Sequence, residues 1–119
     1  MKAEDLNLLL VRRFPPLVDG YLAAKRLWGG DEPGPHVVFG DVLVPFIRTA
    51  LSGSVDQEQI TAVAHFLEDL SGRADNDVLD VVVTSVLEPL LGDPGVQVLE
   101  SAMGPRTLRL WKRLVADTS

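Results

Sequence analysis

The sequence contains no cysteine, which removes disulfide staples and thiolate metal sites from consideration. A chain of this kind suits a reducing compartment, so a cytoplasmic location is the expectation. Nowhere do apolar residues run uninterrupted for the roughly 18 positions that a bilayer-crossing helix needs, and no membrane span is expected. The short stretch Leu8-Leu9-Leu10-Val11 follows Glu4 and Asp5 and precedes Arg12-Arg13. An export signal has the opposite polarity and a longer apolar centre. Basic residues are scarce in the middle of the chain: residues 31–100 hold thirteen acids and only two bases, Arg48 and Arg73, a local charge of −11. The flanks are +2 (residues 1–30) and +3 (residues 101–119), for −6 overall.

That central block repels phosphate and anionic lipid and attracts a basic protein surface. Neither nucleic acid nor a membrane is expected as a partner; a basic protein is. The same acids also keep a small protein soluble. With 119 residues, 46% hydrophobic and 24% charged, the chain has the composition of one globular domain, residues 1–119, and not of a disordered segment.

Proline and glycine cut the sequence into helix-sized pieces. Phe14-Pro15-Pro16 ends a first helix from about Ala3, because proline disfavours helix in the residue before it. Further helices are expected from Pro16 to Trp28, from His36 to Leu51, and from about Val55 to Leu70 behind a Ser54/Gln57 capping box. Asp75 or Asn76 opens another to Leu91, Asp93-Pro94 a short one to Met103, and Gly104-Pro105 a last one to about Ala116. The 29–35 segment reads as a loop.

Periodicity agrees. Ile60, Val63, Ala64, Leu67 and Leu70 fall on one side of their helix, with Glu58, His65 and Asp69 opposite. In the next, Leu79, Val82, Val83, Val86 and Leu90 form the expected buried side, and Asp77, Asp80, Thr84 and Glu88 the wet one. The β-branched run 81–86 would also suit a strand, but it lacks strict alternation and the acids keep helical spacing. The fold class is therefore all-α, a compact multi-helix bundle of αα-hairpins.

Val42-Leu43-Val44-Pro45 and Val86-Leu87-Glu88-Pro89 lie 44 residues apart, within the 40–47-residue spacing of HEAT-like helical repeats. Chance among common Val and Leu residues is the competing explanation. At this offset the acidic positions of the second copy become His36, Gly40 and Val44 in the first, so that side of the first copy is not simply solvated. Gly40 within a helix costs about 1 kcal/mol against alanine, which a close approach by another helix would explain, the two N-terminal helices being the expected cover.

No catalytic constellation stands out. Gly-x-Ser-x-Gly and phosphate-cradling loops are missing. His65, with Glu68 and Asp69 nearby, offers too few ligands for a metal. His36 and Asp41 are five apart, poor spacing for one helical face. No cofactor, metal site or enzyme activity is expected. The last helix carries Arg106, Arg109 and Arg113 on one side and Trp111 on an apolar side, where the bases complement the helix end and the acidic surface.

Pro35-His36-Val37-Val38-Phe39-Gly40-Asp41 with Pro45, Met103-Gly104-Pro105-Arg106-Thr107-Leu108, and Phe14-Pro15 together resemble a family of small bacterial proteins that is a domain of unknown function. The resemblance runs from about Phe14 to Leu110 and implies an α-helical domain of bacterial origin. It leaves His36, Gly40 and Asp41 with either a structural or a surface role. In general character such proteins are similar to immunity proteins of interbacterial toxin systems. The functional expectation is a non-enzymatic protein-binding module that meets a basic partner through an acidic helical face: Glu58, His65 and Asp69 beside Asp77, Asp80 and Glu88, with Val81 as an apolar centre. The alternatives are a homodimer through Val37, Val44 and Trp28 and, third, an enzyme using His36 and Asp41.

Overall fold

The computed structural model describes residues 1–118, and among them there is helix and turn but no strand. Helix α1 (Ala3–Arg13) carries Glu4 and Asp5 in its first turn and Arg12 and Arg13 in its last, each charge matched to the helix dipole. Phe14 ends it, and a 3₁₀ turn (Pro15–Leu17) redirects the chain into α2 (Val18–Leu27). Gly29 and Gly30 both take positive φ, which permits the sharp exit from α2. Pro35 opens a rod made of α3 (Pro35–Val38), a π-helical stretch (Phe39–Leu43) and α4 (Val44–Leu51).

The central helix is α5 (Gln57–Ser71), capped by Asp56, which accepts the Gln59 N–H at 3.1 Å. Ser54 lies before the helix and does not cap it; the carboxylate nearer the first turn takes the role. Asp75 caps α6 (Asn76–Asp80) by accepting the N–H groups of Asp77 and Val78. A second rod continues through a π-helical stretch (Val81–Leu87) and a 3₁₀ turn (Glu88–Leu90). Asp93-Pro94 does not begin the next helix. Arg48 Nε holds the Asp93 carboxylate at 2.7 Å, and α7 starts later, at Val96–Ala102, behind Gly95 with positive φ. Helix α8 spans Pro105–Thr118.

The two π stretches end two residues before Pro45 and Pro89. Proline has no N–H and its ring collides with the carbonyl four residues back. Winding more widely relieves both: Val44 donates to the carbonyl of Phe39 and Glu88 to that of Val83, each five residues back. The device recurs at the 44-residue offset seen in the sequence, and the two rods pack against each other through these stretches. Gly40 faces this second rod, a Cβ there meeting the Ser85 carbonyl at 3.7 Å. The N-terminal helices are not its cover. They approach the first rod elsewhere, where a Cβ on Gly20 would stand 3.0 Å from Val42 Cγ1.

Ile60, Val63, Ala64, Leu67 and Leu70 are buried on α5. Phe66 adds an aromatic cluster, edge-on to Phe14 at 5.5 Å and stacked on Phe39 at 6.3 Å. In the second rod the buried set is Val78, Val81, Val82, Ser85, Val86, Leu87 and Leu90. Leu79 and Val83 are only half-buried. This rod packs against α5, α8 and the first rod, so its apolar side is broader than one stripe. The valine run lets either of two overlapping faces turn inward.

Glu68 explains the Met103–Leu108 string. From α5 its carboxylate accepts the N–H groups of Arg106 (3.1 Å) and Thr107 (2.9 Å) and the Thr107 hydroxyl (2.9 Å), capping α8 from outside. A Cβ on Gly104 would lie 2.5 Å from Glu68 Cδ, so only glycine leaves room for the cap. Burial pushes the Glu68 carboxyl up, but those three donors and the Arg106 charge outweigh it and hold it below the usual carboxylate range. Gly104→Ala is expected to cost about 1–2 kcal/mol in urea unfolding, the worth of a lost cap. The stability due to Glu68 is present above the ordinary carboxylate range and is lost as pH falls below it. Glu68→Gln should therefore narrow the gap to wild type as the solution is acidified, and a constant gap would contradict the assignment.

Candidate functional site

Three surface features contain the residues singled out from the sequence. The first joins the two rods. His36 Nδ1 lies 2.6 Å from Ser85 Oγ, and His36 Nε2 lies 3.4 Å from an Asp80 oxygen. Asp80 also accepts the Thr84 hydroxyl at 3.3 Å. A serine, a histidine and an aspartate in this order have the connectivity of a hydrolytic triad, but the placement differs. Ser85 is 7% exposed inside the π-helical stretch, and the shallow cavity beside His36 is lined by Pro35, Asp77, Asp80 and Val81, not by Ser85. The imidazole is a tie between rods. Asp41 lies on another surface and is not brought to His36.

The second feature is the acidic exterior. Glu58, His65, Asp69, Asp77, Asp80 and Glu88 are all exposed, but several acids of the chain meet bases of the chain itself. Asp69 pairs with Arg13 of α1 at 3.5 Å, Asp93 with Arg48, and Asp80 with His36. Glu58 and Glu88 have no ion pair among the described residues. The expected apolar centre, Val81, is corrected: it is 2% exposed and belongs to the core, because the second rod presents its 78/81/82/85 side to the first rod and α5.

The third feature is a groove of about 600 Å³ between α2 and the first rod. The contact of Gly20 with Val42 forms its floor, letting the two helices approach closely. On the α2 side it is lined by Leu17, Gly20, Ala23, Ala24, Leu27 and Trp28, and on the rod side by Val37, Asp41, Val42, Pro45 and Thr49. Both series follow helical spacing, so each wall is a stripe several turns long. Asp41 is the one charged residue in the lining. At the lip, Leu27 is 88% exposed and Trp28 46%. Val18 and Leu22 are also exposed on α2 but lie outside the groove lining. Of the residues considered for a homodimer, Val37 and Trp28 border this groove, whereas Val44 is buried in the core.

The lip is held in place by a buried polar cluster. Glu32, from the 29–35 segment, accepts the Tyr21 hydroxyl and the Asn7 amide (2.9 Å) and pairs with Lys25 at 3.6 Å. Asn7 also donates to the Pro33 carbonyl at 2.9 Å. Burial pushes the Glu32 carboxyl up, and Tyr21, Asn7 and Lys25 outweigh it to hold it below the usual carboxylate range. The Tyr21 hydroxyl is pushed up by burial first and then by Glu32. Composition alone predicts no more than a loop over 29–35. The signal available was one acid, Glu32, in the turn after α2, the helix that supplies Tyr21, with Asn7 coming from α1.

Fold and surface together define a small all-α domain with an apolar, singly acidic groove. A family model described as a domain of unknown function, DUF7674, matches residues 7–117, and the chain belongs to that family. No curated protein and no solved structure matches it.

Removing either partner of the rod-to-rod tie should cost about 1 kcal/mol, the net worth of one hydrogen bond. Ser85→Ala and His36→Ala together should cost clearly less than the sum of the two single changes in a double-mutant cycle. Full additivity would show that the two side chains do not interact in solution.

Proposed function

We propose that this chain is a non-enzymatic protein-binding module that seats an apolar segment of a basic partner in the groove between α2 and the first rod. The observation that carries the reading is Leu27, 88% exposed beside Trp28 on the rim of a 600 Å³ apolar groove. Contiguous exposed apolar surface of this kind marks interaction sites on small proteins, and buried aromatic and aliphatic anchors supply most binding energy. The −11 of residues 31–100 supports a basic partner, since a surrounding field of one sign speeds encounter with the opposite sign. In this reading the acidic helical face of Asp77, Asp80 and Glu88 steers and the groove holds.

The narrower form of the proposal is a bacterial, cytoplasmic immunity protein whose partner is a toxin encoded directly upstream. A binder recovered from the native host is expected to be basic and to lose at least tenfold in affinity against Leu27→Asp, a change at a position too exposed to disturb folding. With Asp77 and Glu88 changed to lysine it should associate several-fold more slowly at low salt, the difference shrinking at high salt. Affinity indifferent to all three changes sinks the reading. Concentration-dependent dimerisation of the chain alone, abolished by Leu27→Asp, would instead assign the groove to a second copy.

A further inference from the structure

The groove has a shape that narrows what fits it, and this inference rests on the docking role just proposed. Its two walls are antiparallel helices meeting where Gly20 touches Val42. The rod wall runs from Val37 to Thr49, about 18 Å at 1.5 Å per residue. The small residues Gly20 and Ala24 keep the α2 wall low, so the trough stays open along its length. A trough between two helices, lined at helical spacing, is the seat that a third helix fills by ridge-into-groove packing. Midway along it stands Asp41, exposed and without an ion pair among the described residues, amid otherwise uncharged lining.

We infer that the occupant is a single amphipathic α-helix of the partner, about three turns of which lie in the trough, whose apolar stripe lies along Leu17, Ala24, Val42 and Pro45 and whose one lysine or arginine within that stripe pairs with Asp41. An apolar helix without the base would bury the Asp41 carboxylate unpaired, which is costly. An acidic helix would add repulsion to that. Asp41 is therefore the specificity element: it rejects apolar and acidic helices of the same shape. A second copy of the chain fits less well, since it brings together two bodies of charge −6.

The test uses a display library of 16-residue peptides built on a helix-forming background, one face randomised, selected against the full chain and counter-selected against Leu27→Asp and Ala23→Trp. The selected peptides are expected to show apolar residues at three-and-four spacing with a lysine or arginine inside the stripe, and to become helical on binding by circular dichroism. Asp41→Lys should weaken them tenfold or more while Asp117→Lys, the same charge change on an exposed residue of α8, weakens them less than threefold. Replacing the peptide base by glutamate should recover most of the affinity on the Asp41→Lys chain. Equal losses for Asp41→Lys and Asp117→Lys would overturn the pairing while leaving the groove as a docking site. Peptides that bind without helical spacing would overturn the helix. Failure to enrich any peptide over the two counter-selecting variants would overturn this inference and the docking role together. Sedimentation showing a dimer that Ala23→Trp and Leu27→Asp both dissolve would overturn it in favour of a second copy.

Discussion

Proline lacks an amide hydrogen, and twice in this chain that missing donor decides how a buried rod is wound. Just before Pro45 and Pro89, the N–H groups of Val44 and Glu88 bond five residues back and not four, and the wider turns that result are the surfaces on which the rods meet. The rod-to-rod contact then sets His36 against Ser85 and Asp80. It also fixes the outer side of the first rod, which faces α2 and becomes one wall of the groove. Local covalent chemistry, the loss of one hydrogen on nitrogen, is thus carried through helix winding and packing to the exposed surface.

Much of the architecture was legible because helix ends are written in Gly, Pro and short polar side chains. The limits of α1 and of the rods lie where those residues place them. Where the reading failed, competition for a carboxylate or a face decided the outcome. Asp93 had the position of a cap but is taken by Arg48. Ser54 had the capping-box pattern but Asp56 is better placed. Consecutive valines around Val81 admit two stripes, one of which points it outward, and only the packing of the second rod against several neighbours selects between them.

The candidate site was less legible than the fold, for a physical reason. A motif string holds residues adjacent in sequence, whereas a groove is made by residues that folding brings together. His36, Gly40 and Asp41 share one string yet serve two surroundings: His36 and Gly40, one turn apart, both face Ser85 of the second rod, and Asp41 lines the groove. Their roles diverge because successive helical residues point in different directions. The acids behave likewise. Asp69 and Asp93 are drawn into ion pairs by Arg13 and Arg48, and Asp80 lies against His36, so part of the negative exterior is answered by the chain's own side chains.

The external cap on α8 ties the last helix to a distant part of the chain. Glu68 sits on α5, thirty-odd positions before the backbone groups it serves, so the start of the last helix is completed by a side chain it does not carry. An isolated C-terminal peptide would lack that carboxylate and fray at its start. The tail of the protein is thereby made conditional on its middle, and loosening α5 would release α8 with it.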